Sequence, residues 1–227
     1  MQWEDEGFLL TKNKYSENSL IVEIFTLNHG KCSGLVYGGT SRKIKNYLQL
    51  GNKIYAKLKA KNDNKIGYFQ IEIIDPLSPY FFNNYQKLNC LLASVNILKA
   101  TLPELQSYKN IYNSFSNFLK KLKFNEDWIF DYIFWEIDLL KELGFDMNLK
   151  SDLALRHNDK KNMISINIDN EKKELPIFLI DRKIANVDKL YVYKALNFLS
   201  YFLEKNILIP NNLNFSRARK KLENFFK

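Results

Sequence analysis

Basic side chains are concentrated in one short part of this 227-residue chain. Nine lysines and arginines but a single acid, Asp63, lie between Lys31 and Lys65, which gives this segment a formal charge of +8 against +9 for the whole chain. The rest of the first 77 residues contains seven acids and two bases, so the two signs of charge are segregated. Clustered cations attract phosphate polymers, although a run of like charge is about as often only a solvated surface. The first chemistry to consider is therefore contact with nucleic acid.

An aromatic ring accompanies several of these lysines. Lysines alternate with apolar residues from residue 53 to residue 61, and Tyr55 shares their side of the predicted strand. A tyrosine ring is a surface on which a base can stack. Lysine is a point charge without bidentate base readout, so such a face would bind nucleic acid with little sequence preference and strong salt dependence.

A second basic group directly follows Gly38 and Gly39, where a mobile loop could follow a nucleic-acid backbone. The candidate nucleic-acid-binding residues are Lys31, Arg42, Lys43, Lys45, Lys53, Tyr55, Lys57, Lys59 and Lys61. A possible secondary basic site lies on the last predicted helix, with Glu223 as its opposing neighbour, and consists of Arg217, Arg219, Lys220 and Lys221. Cations near a helix carboxyl terminus also interact favourably with the helix dipole, so this cluster has a purely structural alternative.

Catalytic and cofactor motifs are missing from the sequence. His29 and His157 lie in a predicted turn and a polar loop without partners at a metal-binding spacing. Glu136 and Asp138 are two positions apart on a predicted helix and point to different faces, so they do not form an acid–base pair. No phosphate-binding glycine loop or nucleophile elbow occurs. We therefore predict no enzymatic activity, no cofactor and no metal.

Short strands must position the basic face. Period-two alternation and glycine-containing turns predict five strands within the first 75 residues, the number and size of an OB-fold barrel. The strands are expected around residues 7–12, 20–24, 32–37, 54–60 and 69–73. Pro76 and Pro79 indicate a connector, so we place a domain boundary near residue 77.

Helices follow this boundary. Apolar stripes predict helices around residues 88–98, 108–122, 125–144, 188–206 and 214–226. Thr101 and Glu104 have capping-box spacing ahead of the second of these helices, and Gly144 ends the third. Residues 146–174 are polar apart from one alternating stretch, which predicts an insertion at about residues 146–180 with a small hairpin. The predicted class is α+β: an OB-fold domain at 1–77 and a helical domain at 78–227 with a β insertion.

The two cysteines, Cys32 and Cys90, have neither disulfide-framework nor zinc-site spacing, which favours a reducing compartment. The acidic amino terminus has no signal-type apolar core, and no apolar run reaches membrane-spanning length. We expect a cytoplasmic, nucleoid-associated protein without a membrane partner.

Ordered motifs support a more specific interpretation. In the amino-terminal part they include Asp5-Glu6-Gly7-Phe8-Leu9-Leu10, His29-Gly30-Lys31, Gly38-Gly39-Thr40-Ser41-Arg42 and Leu48-Gln49-Leu50-Gly51-Asn52. In the helical part they include Phe134-Trp135-Glu136, Leu143-Gly144-Phe145, Phe202-Leu203-Glu204 and Ala218-Arg219. Together these motifs resemble the RecO family of DNA repair proteins over nearly the whole chain. Many members follow the Leu-Gly-Phe motif with zinc-binding cysteines, whereas Asp152 stands near the first such position here.

The resemblance implies an OB-fold domain on a helical domain, the fold class predicted above, and no catalytic turnover. It further implies binding to single- and double-stranded DNA and annealing of complementary strands covered by single-stranded DNA-binding protein (SSB). The implied partners are RecR, the acidic carboxyl-terminal tail of SSB and, functionally, RecA, which is loaded at gaps.

Two alternatives remain open from the residues themselves. A generic OB-fold protein could bind RNA or single-stranded DNA, because stacking and lysine charge do not identify the sugar. A protein-interaction adaptor would touch nucleic acid only weakly. The adaptor hypothesis predicts that Lys57→Glu combined with Lys59→Glu leaves DNA binding intact, whereas the RecO interpretation predicts a large loss.

Overall fold

The chain forms two compact units, Met1–Leu119 and Lys120–Lys227, in a computed structural model. The structure describes residues 2–60, 66–145, 147, 157–158, 163–168, 171–184 and 187–227. The domain boundary expected near residue 77 stays a prediction.

Five strands close into a barrel in the first unit. Their order around the barrel is β1-β2-β3-β5-β4, and β4 pairs back onto β1. All neighbours are antiparallel except β3 and β5, whose parallel pairing joins Gly34 to Gly67 and Leu35 to Tyr68. This is the topology of an OB-fold, so the predicted fold class is confirmed. The strands are β1 (Gln2–Lys14), β2 (Ser19–Thr26), β3 (Gly30–Tyr37), β4 (Lys53–Lys59) and β5 (Gly67–Asp75).

Alternation along β4 shows how the sequence sorts its side chains. Ile54, Ala56 and Leu58 are buried inside the barrel, and the residues between them point outward. Burial of each large aliphatic side chain stabilises the fold by about 1.5–3 kcal/mol. The inward residues pack with others from every strand, including Leu9, Val22, Ile24, Cys32, Val36, Phe69 and Ile71.

Glycine is required where the barrel closes. A Cβ atom at Gly34 would lie 2.4 Å from the buried ring of Phe69, and one at Gly67 would lie 2.7 Å from Leu58. Both distances are shorter than a carbon–carbon contact, so a larger residue at Gly34 would push β3 away from Phe69 of β5, and one at Gly67 would push β5 away from Leu58 of β4. Gly34 therefore permits the close approach of β3 and β5, and Gly67 permits that of β5 and β4.

Three helices and most of a fourth complete the first unit. The helices are α1 (Arg42–Tyr47), α2 (Leu77–Tyr80), α3 (Tyr85–Thr101) and α4 (Lys109–Phe124), of which the last continues into the second unit. Phe8 and Phe25 of the barrel pack on Tyr112 of α4 with ring centroids 5.1 and 5.6 Å apart. The Tyr112 hydroxyl donates a hydrogen bond to Glu6 at 3.1 Å.

The predicted capping box at Thr101 and Glu104 is wrong. Thr101 is the last residue of α3, and its hydroxyl donates to the Ile97 carbonyl. Glu104 instead lies beside β3, where it accepts a hydrogen bond from Ser33 and pairs through its backbone with Lys31. The helix begins only at Lys109, because the intervening residues pack against the barrel.

Helices and a small sheet form the second unit. The helices are α5 (Trp128–Glu142), α6 (Phe178–Asp181), α7 (Lys189–Leu203) and α8 (Arg217–Asn224), and a π-helical segment (Glu204–Leu208) extends α7. The predicted insertion contains three antiparallel strands rather than a simple hairpin: β6 (His157–Asn158), β7 (Met163–Ile168) and β8 (Glu171–Pro176). Across the residues that the structure describes, no helix is both long and apolar enough to span a membrane.

Cys32 and Cys90 are both buried, and neither belongs to a disulfide. Burial raises the pKa of the Cys32 thiol to about 12. Since only the thiolate is a good nucleophile, we expect neither Cys32 nor Cys90 to react with a water-soluble disulfide reagent at about pH 8 in the folded protein. Both thiols should react once denaturant unfolds the chain, and absorbance of the released chromophore measures the reaction. A thiol that reacts rapidly without denaturant would contradict this burial.

Candidate nucleic-acid interface

A groove of about 570 Å³ runs over the outer surface of the barrel. Tyrosines from three different strands line it: Tyr37 from β3, Tyr55 from β4 and Tyr68 from β5. Its lining also includes Ile44 of α1, Lys57 of β4 and the acidic residue Glu72 of β5. The groove therefore combines aromatic faces with a nearby basic helix.

Barrel closure brings two of the tyrosines together. Tyr37 is the last residue of β3, two residues beyond the short parallel pairing, and Tyr68 of β5 takes part in that pairing opposite Leu35. Their ring centroids are 5.9 Å apart, and their planes are inclined by 53°. The side chains are 65% and 37% exposed, so their faces are accessible to a base. On β4, Tyr55 lies opposite Glu72 of β5.

The basic group after Gly39 forms a helix rather than the expected mobile loop. Ser41 caps α1 by accepting a hydrogen bond from the Ile44 amide, and Ile44 packs against the barrel core. Arg42, Lys43 and Lys45 are exposed on the remaining surface of this helix. No described residue forms an ion pair with any of these three side chains. Their charges are thus available to a phosphate backbone.

The lysines of β4 share an outward face with Tyr55, as predicted, but two of them are already paired. The ammonium of Lys53 lies 2.8 Å from Glu6, and that of Lys57 lies 2.9 Å from Glu4. Hydrogen bonds from Lys57 and then Tyr55 lower the pKa of Glu4. Lys59 has Gln2 and Tyr68 as its cross-strand neighbours and so faces no carboxylate in the register. Lys61 lies outside the described residues.

Lys31 lies away from the groove. It is the second residue of β3, at the opposite end of that strand from Tyr37. Its ammonium donates a hydrogen bond of 3.0 Å to the Lys99 carbonyl near the end of α3. The structure therefore does not bring Lys31 together with the other candidate residues.

Arg219 must be removed from the secondary basic site on α8. Its side chain is only 1% exposed, and its guanidinium contacts both carboxylate oxygens of Glu136 at 3.3 and 3.4 Å. It also donates to Glu223 and to the Leu196 carbonyl. A guanidinium held in this way cannot reach a phosphate. The other three residues of that candidate site, Arg217, Lys220 and Lys221, are exposed.

The remaining polar candidates have structural partners. His29 lies 3.0 Å from Asp5 and stacks on Trp3 with ring centroids 4.1 Å apart. Asp138 forms a bidentate ion pair with Arg182 on a different face of α5 from Glu136. No group of three or more potential metal ligands occurs within the described ranges. The side chain of His157 and residue Asp152 lie outside the part that the structure describes.

Sequence reasoning missed Tyr37 and Tyr68. Each lies next to a glycine at a strand end, where the change from strand to turn interrupts a simple alternation. The signal in the sequence that could have identified them as binding residues is an aromatic residue directly beside a glycine at a turn. Their proximity depends on the pairing of β3 with β5, which the sequence pattern did not define.

Known proteins match the chain over most of its length. The family models described as Recombination protein O N terminal and Recombination protein O C terminal match residues 1–77 and 83–212. The DNA repair protein RecO of Wolbachia pipientis subsp. Culex pipiens is 28% identical over 242 aligned positions that cover 99% of each chain. That of Ehrlichia chaffeensis is 27% identical, covering 98% of this chain and 97% of its own. That of Roseobacter denitrificans is 32% identical over 66% of this chain and 63% of its own.

Proposed function

Since the chain belongs to the RecO family and functions in DNA repair and recombination, we propose that it is a non-enzymatic mediator that binds single- and double-stranded DNA and anneals complementary strands. The family membership confirms the resemblance carried by the sequence motifs. The groove and the three cations of α1 are the proposed DNA-binding surface.

The observation that carries this proposal is the position of the tyrosine groove beside an exposed basic helix. Bases of a single strand would stack on Tyr37 and Tyr68, while the phosphates would contact α1 and Lys59. Among these groups only Arg42 could form a bidentate contact to a base edge, and lysine reads phosphate without sequence. Such binding suits annealing, which must accept any pair of complementary strands.

The proposed partners follow from the family rather than from a particular surface. SSB covers the substrate strands, and its acidic tail would bind an apolar pocket rimmed by basic residues on the proposed helical domain, residues 78–227. RecR would act with this protein to load RecA at gaps. The protein would work on the bacterial nucleoid in the cytoplasm, without a membrane partner.

Annealing of complementary oligonucleotides coated with SSB tests the function directly. Fluorescence energy transfer between labelled strands is followed at low salt, with and without RecR. We expect faster annealing with the protein than without it, in DNA of unrelated sequences. Failure to accelerate annealing under these conditions would overturn the proposal, and equal acceleration with RNA strands would favour the generic OB-fold alternative.

A further inference from the structure

Two carboxylates of β1 lie on the same outer surface as the lysines of β4. In the β1–β4 register, Glu4 is opposite Lys57 and Glu6 is opposite Tyr55. The resulting ion pairs are Lys57–Glu4 at 2.9 Å and Lys53–Glu6 at 2.8 Å. The acidic start of the chain thus neutralises part of the basic segment from within the same sheet.

Glu4 interacts with the two residues of β4 that line the groove, Tyr55 and Lys57. A hydrogen bond to Glu4 raises the pKa of Lys57 and also that of Tyr55. The Lys57 ammonium thus already contacts an anionic oxygen, as it would contact a phosphate. Glu72 of β5 adds only a weaker attraction through space to Lys57.

We propose that Glu4 limits the affinity of the groove for nucleic acid by competing with phosphate for Lys57. This inference rests on the proposed DNA-binding function. A strand that uses Lys57 must first displace the Glu4 carboxylate, which then loses its own ion pair. The protein therefore binds more weakly, and releases DNA faster, than its count of basic residues implies. An annealing protein needs such release because its duplex product must leave before the next pair of strands can bind.

Glu6 does not have the same freedom. It accepts a hydrogen bond from the buried Tyr112 hydroxyl as well as pairing with Lys53. Its replacement would leave a buried donor unsatisfied and would alter the packing of α4. Glu4, in contrast, is 58% exposed on its side chain and can be changed without disturbing the core.

The test is Glu4→Gln, which removes the charge and keeps an oxygen that can accept from Tyr55. We expect single-stranded DNA to bind about two- to fivefold more tightly, the factor that corresponds to breaking one exposed ion pair. The logarithm of the binding constant should also fall more steeply with the logarithm of salt concentration, by about 0.7, because one more phosphate is neutralised. Fluorescence anisotropy of a labelled oligonucleotide at several salt concentrations measures both quantities.

Two further variants separate ion-pair competition from a general change in charge. Glu126→Gln removes the same charge from the exposed connection between α4 and α5, and it should change affinity less than Glu4→Gln does. Adding Glu4→Gln to Lys57→Gln should give no gain, because the lysine that Glu4 occupies is already absent.

Equal gains from Glu4→Gln and Glu126→Gln, or a gain that persists in the Lys57→Gln background, would overturn the inference. So would an unchanged affinity in the Glu4→Gln variant of a protein whose wild type binds DNA. Failure of the wild type to bind DNA at all would instead overturn the proposed function, so the two failures are distinguishable.

Discussion

Replacement of Arg42, Lys43 and Lys45 together by glutamine is expected to weaken single-stranded DNA binding about 100-fold at about 0.1 M salt. Each lost phosphate contact removes about 0.7 from the slope of log K against log salt, and three contacts amount to about two decades at this concentration. These three side chains are exposed on α1 and have no ion-pair partner among the described residues. The helix has no buried residue, so the fold should survive.

Fluorescence anisotropy across a salt series measures the effect, and circular dichroism melting checks the fold. A matched control replaces three basic residues of α4, Lys109, Lys120 and Lys123, by glutamine. We expect this control to change affinity much less, because the same net charge is lost but none of these three lysines lines the groove or lies on α1. Equal losses in the two variants would show that α1 contributes only general charge. Retention of full affinity by the α1 variant would support the adaptor alternative.

Arg219→Ala is expected to lower the free energy of unfolding by about 3–5 kcal/mol, which is typical when one partner of a buried ion pair is removed. The guanidinium joins three helices of the second unit: it lies on α8, contacts Glu136 of α5 and donates to the Leu196 carbonyl of α7 at 3.1 Å. It also lies 5.7 Å from the centre of the Tyr132 ring. Without it, the fully buried Glu136 carboxylate has lost its charged partner.

The cost of this variant should depend on pH. Burial raises the pKa of Glu136 even beside Arg219, and removal of the cation would raise it further. The folded state then binds more protons than the unfolded state, so stability falls as pH rises above the ordinary carboxyl pKa. The loss should therefore be smaller near about pH 5 than near about pH 8.

Urea unfolding at both pH values measures these differences. Lys220→Ala is the matched control, since Lys220 is exposed on the same helix and should cost less than about 0.5 kcal/mol. An apolar pair, Arg219→Met with Glu136→Leu, should recover much of the lost stability because it buries neither charge. A loss below about 1 kcal/mol for Arg219→Ala would contradict the structural role assigned to this arginine.

The barrel could be predicted from the sequence because its signals are local. The alternation in β4 and the glycine turns near the strand ends can each be recognised within a window of a few residues. The outward face of Lys57 follows from this alternation alone. Its pairing with Glu4 does not, because it depends on the register of two strands about fifty residues apart in the chain.

Helix positions in the charged regions were harder to interpret. Arg219 and Leu222 are three residues apart and both buried, so α8 has an ordinary inward stripe in which arginine occupies an apolar position. The three-residue spacing therefore indicated a buried position at Arg219, but the charge of arginine favoured an exposed one. Ser41 likewise begins α1 with a normal amino-terminal cap, but the preceding glycines favoured a loop.

The parallel pairing of β3 with β5 contains two residue pairs, fewer than the pairing between any other neighbouring strands of the barrel. Tyr37 stands on one side of this seam and Tyr68 on the other. A DNA strand with bases stacked on both rings would span the β3–β5 pairing and oppose its opening. Ligand binding and barrel closure are then thermodynamically linked, since any molecule that binds only the closed form stabilises it. Bound single-stranded DNA would thus stabilise the closed barrel to which it binds.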